Sequence, residues 1–371
     1  MKFVPNPKSY SEKRLFCLDA LCGLDMMLLM AIGPIWRALD EAFRLPEWVM
    51  RQHNHYWGGF TLWDIIMPLF IFMCGAAIPF ALGRRMEQGR ATGVYWKHVA
   101  GRVALLWFLG MLCQGRLATL DLMQISPYNN TLQTIAVGYL VAAIVLAVPG
   151  KAGRLMRWIV PAGLALGYAL LLHFLGDYSK DGNFAQIAEQ RILSWIVPAG
   201  SKAFQTGAYT WFLTSMMFGA MTLCGMNATE ILRGEGTRFA KLGKLVAFGA
   251  GLLAFGWIVT PWVPMIKHIF TLSFTAQAMG WSVLALAFLY LVNDILMIRR
   301  GWGIVLLYGQ FALWAYMIGG FFGPGLRATS GIITQGFPHA FGQPATTVLS
   351  SLVTATLLTL CLSVRFGYKE K

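Results

Sequence analysis

An all-α membrane protein, built as a bundle of about ten transmembrane helices, is the fold that the sequence predicts. Hydrophobic residues make up 57% of the 371 positions and charged residues only 12%, whereas a soluble domain carries about 25% charge. Apolar runs near the roughly 20 residues that cross a bilayer recur along the whole chain. This composition excludes a soluble domain, a disordered chain and a disulfide-stapled secreted domain.

The apolar runs predict a single integral-membrane domain over residues 1–371, surrounded by the lipid bilayer. A further short or re-entrant span, around 117–131 or 184–200, would raise the number of spans to about eleven. The expected spans are residues 15–37, 61–83, 98–115, 132–149, 157–175, 206–227, 241–262, 271–295, 303–322 and 343–364.

The distribution of charge predicts the orientation of the chain. The net charge is +14, from 30 Lys and Arg against 16 Asp and Glu. With the N-terminus inside, roughly two thirds of the basic residues fall in cytoplasmic segments, as the positive-inside rule requires. Both termini are therefore expected in the cytoplasm, in a multi-pass protein of the inner membrane. Because the basic residues are spread over several short segments, no nucleic-acid partner is expected.

The six cysteines are expected to be small packing residues. None lies in an outer loop, so no disulfide framework is predicted. They are Cys17, Cys22, Cys74, Cys113, Cys224 and Cys361.

The densest polar stretch runs from His53 to Pro68, just before and inside the second expected span. His55 lies outside the apolar run, and Asp64 lies within it. A histidine near a carboxylate at a water-filled opening is the arrangement of an oriented general base, since imidazole titrates near neutrality. His53 is the alternative for this role, although it is expected one step further out, in solvent. No metal is expected, because a zinc site needs further ligands that nothing in the sequence identifies.

Three other carboxylates lie in or at the margin of expected spans: Asp19, Asp25 and Asp294. A carboxylate at the centre of a span costs about 2.5–3.5 kcal/mol on insertion scales. Asp294 is near the inner end of its span, where solvation explains it. Asp25 is deeper and is less easily explained.

Two further stretches carry polar side chains at the outer ends of spans. Asn129, Asn130 and Gln133 cluster where the fourth span begins, and they either cap that helix or bind a ligand. Lys267 and His268 stand at the outer start of the eighth span. Because an outer lysine runs against the charge bias, it is expected to have a partner, either a carboxylate or an anionic substrate.

Five segments occur in an order that resembles the heparan-alpha-glucosaminide N-acetyltransferase family and its bacterial relatives. The block at residues 55–80 is the most specific of them. The segments are RLFCLDALCGLDM (14–26), HYWGGFTLWDIIMPLFIFMCGAAIPF (55–80), NTLQTIAVGYLVAA (130–143), PMIKHIFTLSF (264–274) and YGQFALWAYM (308–317).

This resemblance implies a transmembrane acyltransferase. Acetyl-CoA would donate its acetyl group from the cytoplasm, and an amino sugar or glycan on the extracytoplasmic side would accept it. The family's catalytic histidine maps best to His55, as base or acetyl carrier, and Asp64 would orient it. The acceptor or the oxyanion would be bound by residues among Asn129, Asn130, Gln133, Lys267 and His268. The phosphates of the coenzyme would be bound by cations among Arg84, Arg85, Arg102 and Arg157.

The sequence departs from the family pattern at several positions. The family histidine stands three positions before the tryptophan, whereas His55 and His53 stand two and four positions before Trp57. Cys22 replaces the usual arginine, and Gln310 replaces the usual asparagine. These changes affect the identity of the acceptor more than the fold.

A secondary transporter for a sugar or amino sugar is the alternative function. Broken helices and intramembrane carboxylates are also features of transporters. The sequence shows no inverted repeat, which favours the enzyme. The oligomeric state stays open, a homodimer included.

Overall fold

The computed structural model describes residues 15–87, 93–114, 117, 120–205 and 207–367. Within that description the side chains of residues 83–87 and 365–367 are left out, which include Arg84 and Arg85. The described residues are helical and contain no β-strand. The α-helices are α1 (Phe16–Met27), α2 (Gly33–Phe43), α3 (Glu47–Arg51), α4 (Ile66–Glu87), α5 (Gly93–Cys113), α6 (Thr131–Ala147), α7 (Gly150–Leu175), α8 (Phe184–Ile196), α9 (Ser215–Arg233), α10 (Arg238–Val259), α11 (Leu272–Tyr290), α12 (Gly303–Gln310), α13 (Ala312–Phe321), α14 (Gly323–Thr334) and α15 (Phe337–Gly367).

The described part of the chain holds six helical stretches long and apolar enough to cross a membrane. Helices α12 and α13 add a seventh if this pair, bent by 80°, is one broken span. The chain is therefore a helical membrane protein. Each expected span falls on a helix, but α5, α6 and α9 are not among the six stretches, so the number of about ten spans stays a prediction. The six are Phe16–Phe43, Leu62–Leu82, Gly150–Leu175, Arg238–Val259, Leu272–Ile295 and Phe337–Val364.

The chain divides into two compact units. The first unit comprises the described residues of Met1–Asn54, Thr61–Ile66 and Phe288–Lys371, and the second comprises those of His55–Phe60 and Met67–Ala287. The predicted single domain stays a prediction, because two compact units can still belong to one folding domain.

In the first unit, α1 and α12 approach each other at two glycines. A Cβ atom on Gly23 would overlap the carbonyl oxygen of Val305, and a Cβ atom on Gly309 would overlap that of Asp19. Small residues at a crossing let membrane helices come into backbone contact. The close packing of these two helices therefore depends on both glycines.

The membrane carboxylates of the first unit have different surroundings. Asp294 accepts a hydrogen bond from the backbone N–H of Cys17 at 3.0 Å and pairs with Arg299 at 3.2 Å. Protein groups therefore stabilise Asp294, whereas the sequence analysis had explained it by solvation alone. Asp25 is fully buried, and neither of its oxygens has a hydrogen-bond partner among the described residues. The six cysteines, all of which lie in the described part of the chain, form no disulfide bond.

In the second unit, α9 lies at the centre and packs against α6 and α7. Every residue from Met217 to Thr229 is buried. Helices α7 and α10 lie at the periphery, where only 17% of the most apolar stretch of each is buried. Such apolar, outward-facing helices are typical of a surface that contacts lipid.

Substituting alanine for Gly75 is expected to destabilise the protein. A Cβ atom at this position of α4 would overlap the carbonyl oxygen of Thr222 on α9, which is backbone and cannot rotate away. Overpacking of this kind typically costs about 1–3 kcal/mol. The midpoint of thermal unfolding in detergent should fall clearly. Gly251→Ala in α10 is the matched control, since no atom lies within 4 Å of its added Cβ, and it should leave the midpoint unchanged or raise it.

Candidate functional site

The candidate site is built around His55 and Lys267, two residues of the second unit. The Nζ atom of Lys267 lies 3.0 Å from Nδ1 and 3.1 Å from Nε2 of His55. Lys267 is only 4% exposed, whereas His55 is open to solvent. A buried ammonium group is costly without a partner. The structure shows the imidazole of His55 as a partner, and the carboxylate or anionic substrate expected from the sequence stays a prediction.

The contact constrains the ring nitrogen that takes part in it. An ammonium group has three donors and no acceptor, so this nitrogen must accept with its lone pair. The lone pairs of the two ring nitrogens diverge, so one Nζ atom cannot lie along both. The two near-equal distances therefore do not identify which nitrogen accepts, and the ammonium group can bind only one of them at a time. An imidazole whose nitrogen lone pair is accessible can accept a proton or attack a carbonyl.

The loop from Pro264 to Thr271 fixes the position of Lys267. The Oγ1 atom of Thr271 donates to the carbonyl of Pro264 at 2.7 Å and accepts from the N–H of Ile266 at 3.0 Å. Phe270 has a φ of 44°, a left-handed conformation that is rare for a bulky residue. These two hydrogen bonds close the loop just before α11 begins, and Lys267 is near the middle of the closed segment.

The segment that carries His55 is attached to the same loop. The N–H of Gly59 donates to the carbonyl of Met265 at 2.9 Å. Gly59 has a φ of 107°, which favours glycine because it has no Cβ atom. The tight turn therefore keeps residues 55–60 beside the lysine loop.

A row of stacked rings lies next to this pair. Trp57 stacks on His268 with ring centroids 5.3 Å apart, and Tyr209 meets the same histidine at 4.4 Å. The Nε1 atom of Trp57 donates to the carbonyl of Tyr178 at 3.0 Å, and Lys180 lies 5.8 Å from its ring. Tyr209 and Tyr178 were not expected at the site, because no spacing in the sequence connects them with the histidines.

His53 does not lie in solvent, contrary to the expectation from the sequence. It belongs to the first unit, is 6% exposed, and packs on Trp63 with ring centroids 4.1 Å apart. The ring centroid of Trp36 lies 5.9 Å from that of His53. The flat face of the imidazole ring packs against these aromatic rings, and this packing buries His53. The polar residues around His53 in the sequence do not predict such burial.

Asp64 serves as a local cap. Its Oδ2 atom accepts from the N–H of Thr61 at 2.8 Å and from its Oγ1 atom at 2.9 Å, at the start of the 3-10 turn Leu62–Ile65. This carboxylate belongs to the first unit and His55 to the second. The role of Asp64 in orienting His55 stays a prediction.

The polar cluster before α6 organises the start of that helix. The Oδ1 atom of Asn130 accepts from the N–H of Leu132 at 2.9 Å, which confirms the capping interpretation for this residue. Gln133 accepts from the N–H of Asn129 at 2.9 Å and donates to the carbonyl of Pro127 at 2.7 Å. Their roles in binding a ligand stay predictions.

The two described arginines expected to bind the coenzyme already have protein partners. Arg102 lies over the ring of Tyr139 at 4.8 Å, and Arg157 pairs with Glu230 at 3.1 Å. A phosphate at either guanidinium would have to share these contacts. Arg84 and Arg85 lie outside the described side chains, so the coenzyme contacts of all four stay predictions. In the part of the chain that is described, no three His, Cys, Asp or Glu residues form a group able to hold a metal ion.

No protein-family model matches the sequence, and a search of curated proteins finds no significant match.

Proposed function

We propose that the chain is a multi-pass membrane acyltransferase, which moves an acetyl group from cytoplasmic acetyl-CoA to an amino sugar or glycan on the extracytoplasmic side. The observation that carries the proposal is the contact between the solvent-exposed His55 and the buried Lys267. The similarity of five segments to the heparan-alpha-glucosaminide N-acetyltransferase family supports the same reaction, and the family's catalytic histidine maps best to His55, with His53 as the alternative.

Acyl transfer needs a base or nucleophile and a group that stabilises the developing oxyanion. In a direct route, the acceptor amine attacks the thioester carbonyl and His55 takes the amine proton. The C–S bond then breaks, and the thiolate receives a proton from the imidazolium. In a two-step route, a ring nitrogen of His55 attacks the thioester, the C–S bond breaks, and the thiolate leaves as the thiol with the proton of the other ring nitrogen. The amine then attacks the acetyl group on the histidine, the acetyl–nitrogen bond breaks, and the amine proton returns to the imidazole. Lys267 is close enough to the ring to stabilise the oxyanion in both routes.

The stacked rings beside the pair support a sugar as acceptor. Trp57 and Tyr209 provide aromatic faces, which pack against the apolar face of a pyranose ring. A few polar groups on an otherwise aromatic wall are typical of small-molecule sites. The amine of an amino sugar on this wall would be near His55.

The orientation of the reaction follows from the charge bias of the sequence. About ten spans with both termini in the cytoplasm place the segment before the second span, and hence His55, on the extracytoplasmic face of the inner membrane. The donor would reach the site from the side rich in Lys and Arg, through the membrane-embedded part of the chain.

A secondary transporter for a sugar or amino sugar is the second candidate. The 80° break between α12 and α13 favours it, and so does the carboxyl of Asp25, which has no hydrogen-bond partner among the described residues, since transporters bind substrates or ions at broken helices. These features belong to the first unit, whereas the His55–Lys267 pair belongs to the second.

One assay separates the two functions. We expect the purified protein to release coenzyme A from acetyl-CoA when glucosamine is present, and to form N-acetylglucosamine in equal amount by mass spectrometry. Heat-unfolded protein and reactions without the amine are the controls. Uptake of labelled sugar into proteoliposomes, with no thiol released, would instead identify a transporter and contradict the proposed acyl transfer.

A further inference from the structure

Glu189 is a buried carboxyl group that takes no part in the proposed acyl transfer. It is 1% exposed and lies on the buried face of α8, together with Ala185 and Leu193. Helix α8 is not among the stretches apolar enough to span the membrane. A carboxyl group in such a place is costly unless hydrogen bonds compensate it, so its partners indicate what it is for.

The Oε2 atom of Glu189 binds two backbone groups at once. It accepts from the N–H of Trp211 at 3.0 Å and from the N–H of Phe212 at 2.9 Å. Both residues lie in the irregular segment before α9, where no helix supplies an acceptor. Because buried N–H groups need partners, Glu189 fixes the path of this segment.

The opposite side of the same segment faces the loop that carries Lys267. The N–H of Thr210 donates to the carbonyl of His268 at 3.2 Å, and the ring of Tyr209 packs on His268. The residues 209–212 therefore lie between Glu189 on one side and the neighbour of Lys267 on the other.

A chain of hydroxyl groups strengthens this contact. The hydroxyl of Tyr168 donates to the carbonyl of Ile269 at 2.6 Å, so it must accept from Thr214 at 3.2 Å. Thr214 in turn accepts from Thr210 at 2.6 Å. Each hydroxyl has one proton, so the direction of the chain is fixed, and it ends on the backbone two residues after Lys267.

We propose that Glu189 is a positioning residue for the His55–Lys267 pair, acting through residues 209–212. It does not touch the reacting groups. It fixes the segment whose Thr210 N–H binds the carbonyl of His268. The backbone beside Lys267 is thereby held in place, and it sets where the ammonium group of Lys267 lies. The kinetic consequence rests on the proposed acyl transfer, whereas the positional consequence does not.

The protonation of Glu189 does not alter this tether. Burial raises the pKa of Glu189 to about 7, while the hydrogen bonds from Phe212 and Trp211 act in the opposite direction. The Oε1 atom has no hydrogen-bond partner among the described residues and is the oxygen free to carry the proton. Oε2 accepts from both N–H groups in either form, so an uncharged carbonyl oxygen at the same position should replace it.

Three substitutions test the proposal. Glu189→Gln keeps an acceptor oxygen, Glu189→Asp withdraws it by one methylene, and Glu189→Ala removes it. We expect Glu189→Ala to lower kcat by about tenfold or more, since a displacement of ~1 Å near the chemistry can cost ~10²-fold. The KM for acetyl-CoA should stay within about twofold, because donor binding is not disturbed. The kcat of Glu189→Asp should lie between those of Glu189→Ala and the wild type. This variant provides the test if Glu189→Ala fails to fold. Glu189→Gln should retain nearly wild-type kcat.

A second measurement does not depend on activity. The ring of His268 contacts the rings of Trp57 and Tyr209. Its modification by diethyl pyrocarbonate, followed by mass spectrometry, reports whether Tyr209 still covers it. We expect several-fold faster modification in Glu189→Ala and no change in Glu189→Gln. The exposed His173 should react equally in all variants and is the internal control.

The outcomes are distinguishable. Unchanged kcat and unchanged His268 modification in Glu189→Ala would overturn the proposal. A Glu189→Gln variant as impaired as Glu189→Ala would also overturn it, because the charge and not the acceptor would then be essential. If the wild-type protein transfers no acetyl group, the proposed function fails, and the modification of His268 still decides the positioning role.

Discussion

Replacing His55 by alanine is expected to lower acyl transfer by about 10²–10⁴-fold, the usual effect of losing a general base. The ring is exposed, so its loss leaves little cavity and the protein should stay folded. Lys267 loses a partner in this variant but keeps its loop, because the loop is closed by Thr271. The rate is measured as thiol release with glucosamine as the acceptor.

His53→Phe is the matched control for this substitution. His53 is buried and stacked on Trp63, so phenylalanine keeps the ring contact and removes the ring nitrogens. We expect this variant to transfer acetyl groups at a rate near that of the wild type. If His53→Phe transfers no acetyl group while His55→Ala does, His53 is the catalytic histidine and the assignment of that role to His55 is wrong. If both variants are active, histidine catalysis at this site is excluded and the transporter becomes the better function.

The sequence predicted spans that overlap helices in the described part of the chain, because the apolar runs that define them are local, whereas their number stays a prediction. It also identified His55 and Lys267 as candidates, each from its own surroundings. The contact between His55 and Lys267 could not be predicted from the sequence, since the two residues are 212 positions apart and no periodicity connects them. The bend between α12 and α13 at Phe311 had no proline to mark it, and it became visible only in the structure.

Burial was the property that the sequence predicted least well. His53 and His55 are two residues apart in one polar stretch, yet one is buried among aromatic rings and the other is exposed. Glu189 was overlooked because a single glutamate in a polar connecting segment is typical of a solvated surface. Its buried position follows from two backbone N–H groups more than twenty residues away, which local sequence does not encode.

Replacing Lys267 by methionine is expected to lower acyl transfer by about 10²–10³-fold, the effect of removing one group that stabilises an oxyanion. Methionine is unbranched and fills much of the volume of the lysine stem, so packing in the loop should be kept. Because Lys267 is 4% exposed, removing its charge also relieves the cost of burying an ammonium group. The midpoint of thermal unfolding should therefore not fall, and the loss of rate can be assigned to chemistry.

Lys180→Met is the control for Lys267→Met, because it removes a second ammonium group near the same rings. Lys180 is exposed and lies over Trp57 at 5.8 Å, where solvent screens its charge. We expect its variant to keep nearly full activity, with at most a small rise in KM for the amino sugar. A wild-type rate in Lys267→Met would show that the ammonium group beside His55 has no catalytic role. Equal losses in both lysine variants would mean that the general positive potential around Trp57 matters, and not the specific contact of Lys267 with the imidazole.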